Sequence, residues 1–182
     1  MNSLCFLLVA WLLPIYLKRD GLSVQDLGFN ARPLKRDILQ GCAVGAGIYA
    51  SSFVLFHFLI RGPEINLQLH MYSSGGIEVV SKIIFVVIQA SVIEELLFRA
   101  SLIVPLRACW GRGAWRDAVY ILISALLFAC IHSLGHPIYY IGYILIGAAL
   151  ACVYVKTGSL RRVIIAHAFF NASGLTLGAV LR

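Results

Sequence analysis

Charge is scarce in this chain: only 13% of its 182 residues are Asp, Glu, Lys or Arg, about half the usual share of a soluble domain. Acidic residues are the scarcest, eight against fifteen Lys and Arg. The net charge of +7 forms no long basic stripe, so it does not describe a nucleic-acid-binding face. No C-x-x-C pair occurs among the five cysteines (Cys5, Cys42, Cys109, Cys130 and Cys152), which removes a disulfide framework and a thiolate zinc site. Most of these cysteines lie in apolar runs and read as small packing residues. No basic segment precedes the first apolar run and no small-x-small cleavage pattern follows it, so a first membrane helix is expected there rather than a signal peptide. Internal repeats, low-complexity tracts and a composition shift that would mark a second domain are also missing.

What remains is apolar and arranged in long runs, with 60% hydrophobic residues overall. Six runs can be drawn, from Met1 to Leu17, Ile38 to Ile60, Ile77 to Val104, Ala118 to His132, Pro137 to Val155 and Ser159 to Leu181. A helix needs about 20 residues to cross a bilayer. The predicted fold is therefore all-α: a polytopic transmembrane helical bundle of about six helices, forming one domain over 1–182. Gly41 and Gly45 have the GxxxG spacing of a close helix contact, and Gly142, Gly147 and Ala151 read as further packing positions. Trp110, Trp115, Tyr139 and Tyr140 fit interfacial anchoring.

Basic residues alternate between connections. Lys18, Arg19, Arg32, Lys35 and Arg36 follow the first run, Arg107, Arg112 and Arg116 follow the third, and Lys156, Arg161 and Arg162 follow the fifth. The connection around Arg61 and the stretch Ser133 to His136 carry little charge. By the excess of Lys and Arg in cytoplasmic loops, the chain is expected in the cell membrane as a multi-pass protein with both termini outside the cytoplasm.

Two of the few acids, Glu94 and Glu95, sit side by side inside the third run. A charge at that depth costs a few kcal/mol, so it marks function or a required pairing. Arg99 stands four residues beyond Glu95, His132 ends the fourth run, and His167 and Asn171 lie four apart in the sixth. Counted from the expected cytoplasmic ends, Glu94, His132 and His167 lie at roughly 15, 21 and 12 Å in a core near 30 Å thick. Glu95 can pair with Arg99 along one helix face, while Glu94 points about 100° away, toward a cavity. A carboxylate, two imidazoles and an amide at similar depth suffice for water-mediated attack on a peptide bond, with Glu94 as general base, His132 positioning water, and His167 and Asn171 donating to the oxyanion. Taken singly these residues have plainer readings: Arg99 as a snorkelling residue, each histidine as a packing histidine. His57 and His70 belong to no pattern, and His136 reads as a surface turn residue.

Three stretches carry a resemblance: Glu94-Glu95-x-x-x-Arg99, Phe128-x-x-x-His132 and His167-x-x-x-Asn171, with Lys156-Thr157-Gly158-Ser159-Leu160 leading into the last. In this order they resemble the motifs of the CPBP family of intramembrane proteases, also called the Abi or CAAX-protease family, over about Val79 to Ser173. The resemblance implies a helical membrane fold and an intramembrane endopeptidase in which Glu94 and His132 activate water, His167 and Asn171 stabilise the oxyanion, and Glu95 and Arg99 support the site. It implies a membrane-anchored protein or peptide as substrate, such as C-terminal tags of bacterial surface proteins or CAAX-like peptides. The family has been described both as metalloproteases and as glutamate-based. Glu94, His132 and His167 are a carboxylate and two imidazoles that would also ligate zinc. The lack of an HExxH helix favours a site without a cofactor. Two other classes compete: a non-catalytic bacteriocin-immunity or membrane scaffold protein, and a small transporter, which would be expected to carry an internal repeat or broken helix pair.

Overall fold

The computed structural model describes residues 13–15, 17–19, 21–29, 33–55, 84–132 and 137–180. Most of the first run, the second run beyond Leu55, the Arg61 connection, the start of the third run and the Ser133–His136 turn, with Cys5, His57, His70 and His136, lie outside the described residues. The described residues contain helices and no strand, and they form an all-α bundle.

The first long helix, α1, spans Leu34–Val54 and so begins a turn before the apolar run at Ile38. Its extra turn holds Asp37, which is buried against two guanidinium groups. Arg161 reaches Oδ2 through Nε at 2.9 Å and Nη2 at 2.6 Å, and Arg162 reaches Oδ1 at 3.0 Å. A carboxylate at a helix N-terminus also complements the helix dipole. Hydropathy marks where the apolar residues begin; the helix begins where its polar end finds partners.

The next helix, α2, covers residues 84–110 and is uneven along its length. Ile84–Ala90 and Leu96–Ala100 are π-helical, with α-helical turns at Ser91–Glu95 and Ser101–Trp110. Such widened turns occur mostly at functional sites. Hydroxyls reach carbonyls of the second one: Ser101 donates to Leu96 O at 2.9 Å and Ser124 to Phe98 O at 3.0 Å. The helix outlasts the expected end near Val104. It continues through Pro105 to Trp110 and stops at Gly111, whose φ of 77° suits glycine. Arg107 thus lies on a helix rather than in a loop, bonded to Asp117 Oδ1 at 2.8 Å and Val155 O at 3.0 Å.

Three further helices follow: α3 at Ala114–His132, α4 at Pro137–Thr157 and α5 at Leu160–Val180. The most extensive pairings are α1 with α5 and α3 with α4, and α2 packs against both pairs. Small residues permit them. A Cβ on Gly45 would lie 2.5 Å from Ala166 O, and one on Gly41 2.9 Å from Arg162 O. Gly147 of α4 comes similarly close to Ala125 and Phe128 of α3. The polar segment after the first run is docked on the bundle. Its 3-10 turn Val24–Leu27 buries Leu27, Tyr154 donates to Leu27 O at 3.2 Å, and Leu160 N–H donates to Gly28 O at 3.2 Å. Gly28 lies so close to Gly158 O that no side chain fits there.

The outside of the bundle is apolar: Leu39, Ile88, Leu122, Ile141 and Leu145 are all exposed. Its interior holds Asp37, Ser91, Glu95, Arg99, Ser124 and His167. Among the described residues, Ala114–His132 and Tyr140–Thr157 are long and apolar enough to cross a membrane.

The α1–α5 seam generates a direct test. Gly45→Val forces the helices apart and is expected to lower stability by about 1–3 kcal/mol. Gly47→Val, on the open face with nothing within 4 Å of a built Cβ, should melt close to the parent. Thermal unfolding in detergent checks both, and equal melting of the two variants would contradict the packing described.

Candidate active site

The short turn Ser91–Glu95 of α2 sets the site. Its two glutamates are successive, so their side chains leave the helix about 100° apart. Glu95 turns fully inward and meets Arg99 one turn on, with Nε 3.0 Å from Oε2 and both side chains 0% exposed. Arg99 also donates from Nη2 to Gly147 O on α4 at 3.1 Å, and its guanidinium carbon lies 5.1 Å from the centre of the Phe128 ring. The other oxygen of Glu95 is 2.8 Å from His167 Nδ1 on α5. An ionised carboxylate only accepts, so Nδ1 carries the proton and Nε2 faces the other way.

There it meets Glu94. Glu94 Oε2 lies 3.3 Å from His132 Nε2 and 3.8 Å from His167 Nε2. His132 is held by its other nitrogen, 2.8 Å from Phe128 O. That carbonyl accepts, so Nδ1 donates and Nε2 is left to face the carboxylate. The ring of His132 stacks on Phe128 at 4.3 Å and on Tyr143 at 5.0 Å, both at 29°. Glu94 Oε2 is buried and has no aligned hydrogen bond among the described residues. The site nevertheless opens outward on this side, where Glu94 is 12% and His132 19% exposed against 4% for His167. Asn171, one turn beyond His167, donates from Nδ2 to Ser91 Oγ at 3.1 Å.

All six sequence-selected residues thus meet: Glu94, Glu95, Arg99, His132, His167 and Asn171, drawn from α2, α3 and α5. Sequence reasoning paired Glu95 with Arg99 but did not foresee its bond to His167. It also missed Ser91, Tyr143 and the carbonyl of Gly147. Ser91 could have been found, since it lies three and four residues before the glutamates and so shares their helix face. Tyr143 carries no such signal. Among the described residues no group of three or more His, Cys, Asp or Glu side chains is arranged to hold a metal ion.

An apolar outside closed around carboxylates, imidazoles and an amide is the arrangement expected of a membrane-embedded protease. The chain belongs to the Rce1-like type II CAAX prenyl endopeptidase family, whose model matches residues 76–173, just over half of its length. Comparison with curated proteins and with solved structures finds no match. Family membership makes the chain an intramembrane endopeptidase in general terms, acting on a membrane-associated protein.

The buried pair yields a stability prediction. Arg99→Met leaves Glu95 without its cation and should cost about 3–5 kcal/mol. Adding Glu95→Gln removes the stranded charge and should restore much of the lost melting temperature. A double variant no more stable than Arg99→Met would show that the pair is not what holds this region.

Proposed function

We propose that the chain hydrolyses a peptide bond of a membrane-associated protein or peptide by direct attack of a water that Glu94 activates. The observation that supports this best is the buried oxygen Glu94 Oε2, facing Nε2 of both His132 and His167. A carboxylate so placed takes a proton from water, and His132 fixes where that water sits. The resulting hydroxide bonds to the carbonyl carbon as the carbonyl π electrons move to oxygen. His167, when both ring nitrogens carry protons, donates from Nε2 to this oxyanion, and the Asn171 amide donates beside it. Collapse of the tetrahedral intermediate breaks the C–N bond, and the proton held by Glu94 passes to the leaving amine.

Glu95 and Arg99 act from behind. Glu95 holds His167 by Nδ1, and Arg99 holds Glu95, so the imidazole keeps one direction throughout. This reading uses no metal. The chain is a multi-pass cell-membrane protein with both termini outside the cytoplasm, a reading that rests on the loop charges. Its substrates are membrane-anchored peptides, among them C-terminal segments of surface proteins and CAAX-like peptides.

The test compares peptide termini of the membrane proteome in cells carrying the parent protein or Glu94→Gln at matched expression. Termini that appear only with the parent identify the substrate; identical termini overturn the catalytic reading in favour of an immunity or scaffold role. On a cleaved peptide in liposomes, Glu94→Gln or His132→Ala should lower kcat by about 10²–10⁴-fold. A strong zinc chelator should leave the parent rate unchanged. Loss of activity on chelation, restored by zinc, would place a metal at Glu94, His132 and His167.

A further inference from the structure

Asn171 is an asparagine asked to do a directional task. Its amide has a donor end and an acceptor end of nearly equal size, related by a half-turn of the side chain. Only the donor end stabilises an oxyanion; the acceptor end opposes it. An amide with that task must also be held in one place.

Ser91 is placed to do so. Its side chain is fully buried, and its Oγ accepts a hydrogen bond from Asn171 Nδ2 at 3.1 Å. A hydroxyl in that position needs a partner, since an unsatisfied buried one costs about 1–3 kcal/mol. Ser91 also belongs to the same helical turn as Glu94 and Glu95. That turn therefore carries the base (Glu94), the support of one oxyanion donor (Glu95 on His167) and a contact to the other (Ser91 on Asn171). Separations between groups borne by one turn vary little, whereas groups on separate helices shift with every movement of the bundle. Hydrogen bonds cross from this turn to both residues of the His167–Asn171 pair and constrain the rotation of α5 about its own axis.

We propose that Ser91 is a positioning residue which holds the Asn171 amide at a fixed place beside the reacting carbonyl. The inference rests on the reading of Asn171 as an oxyanion donor. Ser91 itself touches no reacting atom.

The experiment is a double-mutant cycle on the full-length protein in liposomes, using a membrane-anchored peptide that the parent is shown to cleave. Ser91→Ala should lower kcat by about ten- to a hundredfold with KM unchanged, less than full loss of one oxyanion donor, which is about 10²–10³-fold. Asn171→Ala should lower kcat further, and adding Ser91→Ala to it should change nothing more, because the residue that Ser91 positions is gone. Ser91→Cys, of similar size and a weaker acceptor, should fall between serine and alanine. Multiplicative losses in the double variant, or Ser91→Ala with parental kcat beside an impaired Asn171→Ala, overturn the positioning role alone. Parental kcat in Asn171→Ala overturns the oxyanion reading and the inference with it. Melting curves of each variant separate a folding loss from a catalytic one.

Discussion

Arg99 carries a charge into a bundle whose outer surface is apolar, and no water-exposed atom relieves it. A buried cation without partners would cost several kcal/mol, so its neighbours are constrained to meet it. They come from every side. Glu95 on its own helix supplies the counter-charge, the carbonyl of Gly147 accepts from α4, and the face of Phe128 on α3 lies against the guanidinium. Glu95 then passes the constraint to α5 by binding His167. The pair is thus less a source of net stability than a fixed point, one that admits a single mutual placement of four helices. Glu94 needs no contact of its own to be located, since its direction follows from Glu95 by the pitch of the helix.

The same helix turn was largely legible in the sequence, because spacing on a helix is a geometric statement. Glu95 with Arg99 and His167 with Asn171 are four apart, and that alone puts each pair on one face. Glu94 and His132 were matched by depth, and they meet at 3.3 Å. Other features leave no trace that a reader of hydropathy can detect. The π-helical turns of α2 have the same apolar composition as ordinary turns, and a buried serine such as Ser91 looks like any small residue. Helix ends were misplaced at Leu34 and Trp110 for one reason: polar residues that find partners continue a helix beyond its apolar stretch. The docked turn at Val24–Leu27 was hidden by the polar residues around Leu27, whose burial depends on α4 and α5 far along the chain.

Small residues and buried charge divide the work of assembly. Gly41 and Gly45 bring α1 close to α5 without specifying much beyond proximity, as van der Waals contact alone is tolerant of rotation and slip. The directional bonds remove that tolerance: Asp37 to Arg161 and Arg162 at one end, Glu95 to His167 and Ser91 to Asn171 further in. The α3–α4 pair shows the same division, with Gly147 permitting approach and its carbonyl fixing Arg99.

The clasp between Asp37 and the arginine pair also imposes an order in time. A ribosome delivers α1 before α5, with the whole of α2, α3 and α4 between them, at about 5–20 residues per second. Through that interval α1 has neither the α5 contacts of Gly41 and Gly45 nor the arginines that pair with Asp37. His167 and Asn171 arrive on the same late segment. Until α5 arrives, a nascent chain holds Glu95 and Ser91 without their α5 partners. The arrangement around the two glutamates is therefore complete only after α5 docks on the helices made before it.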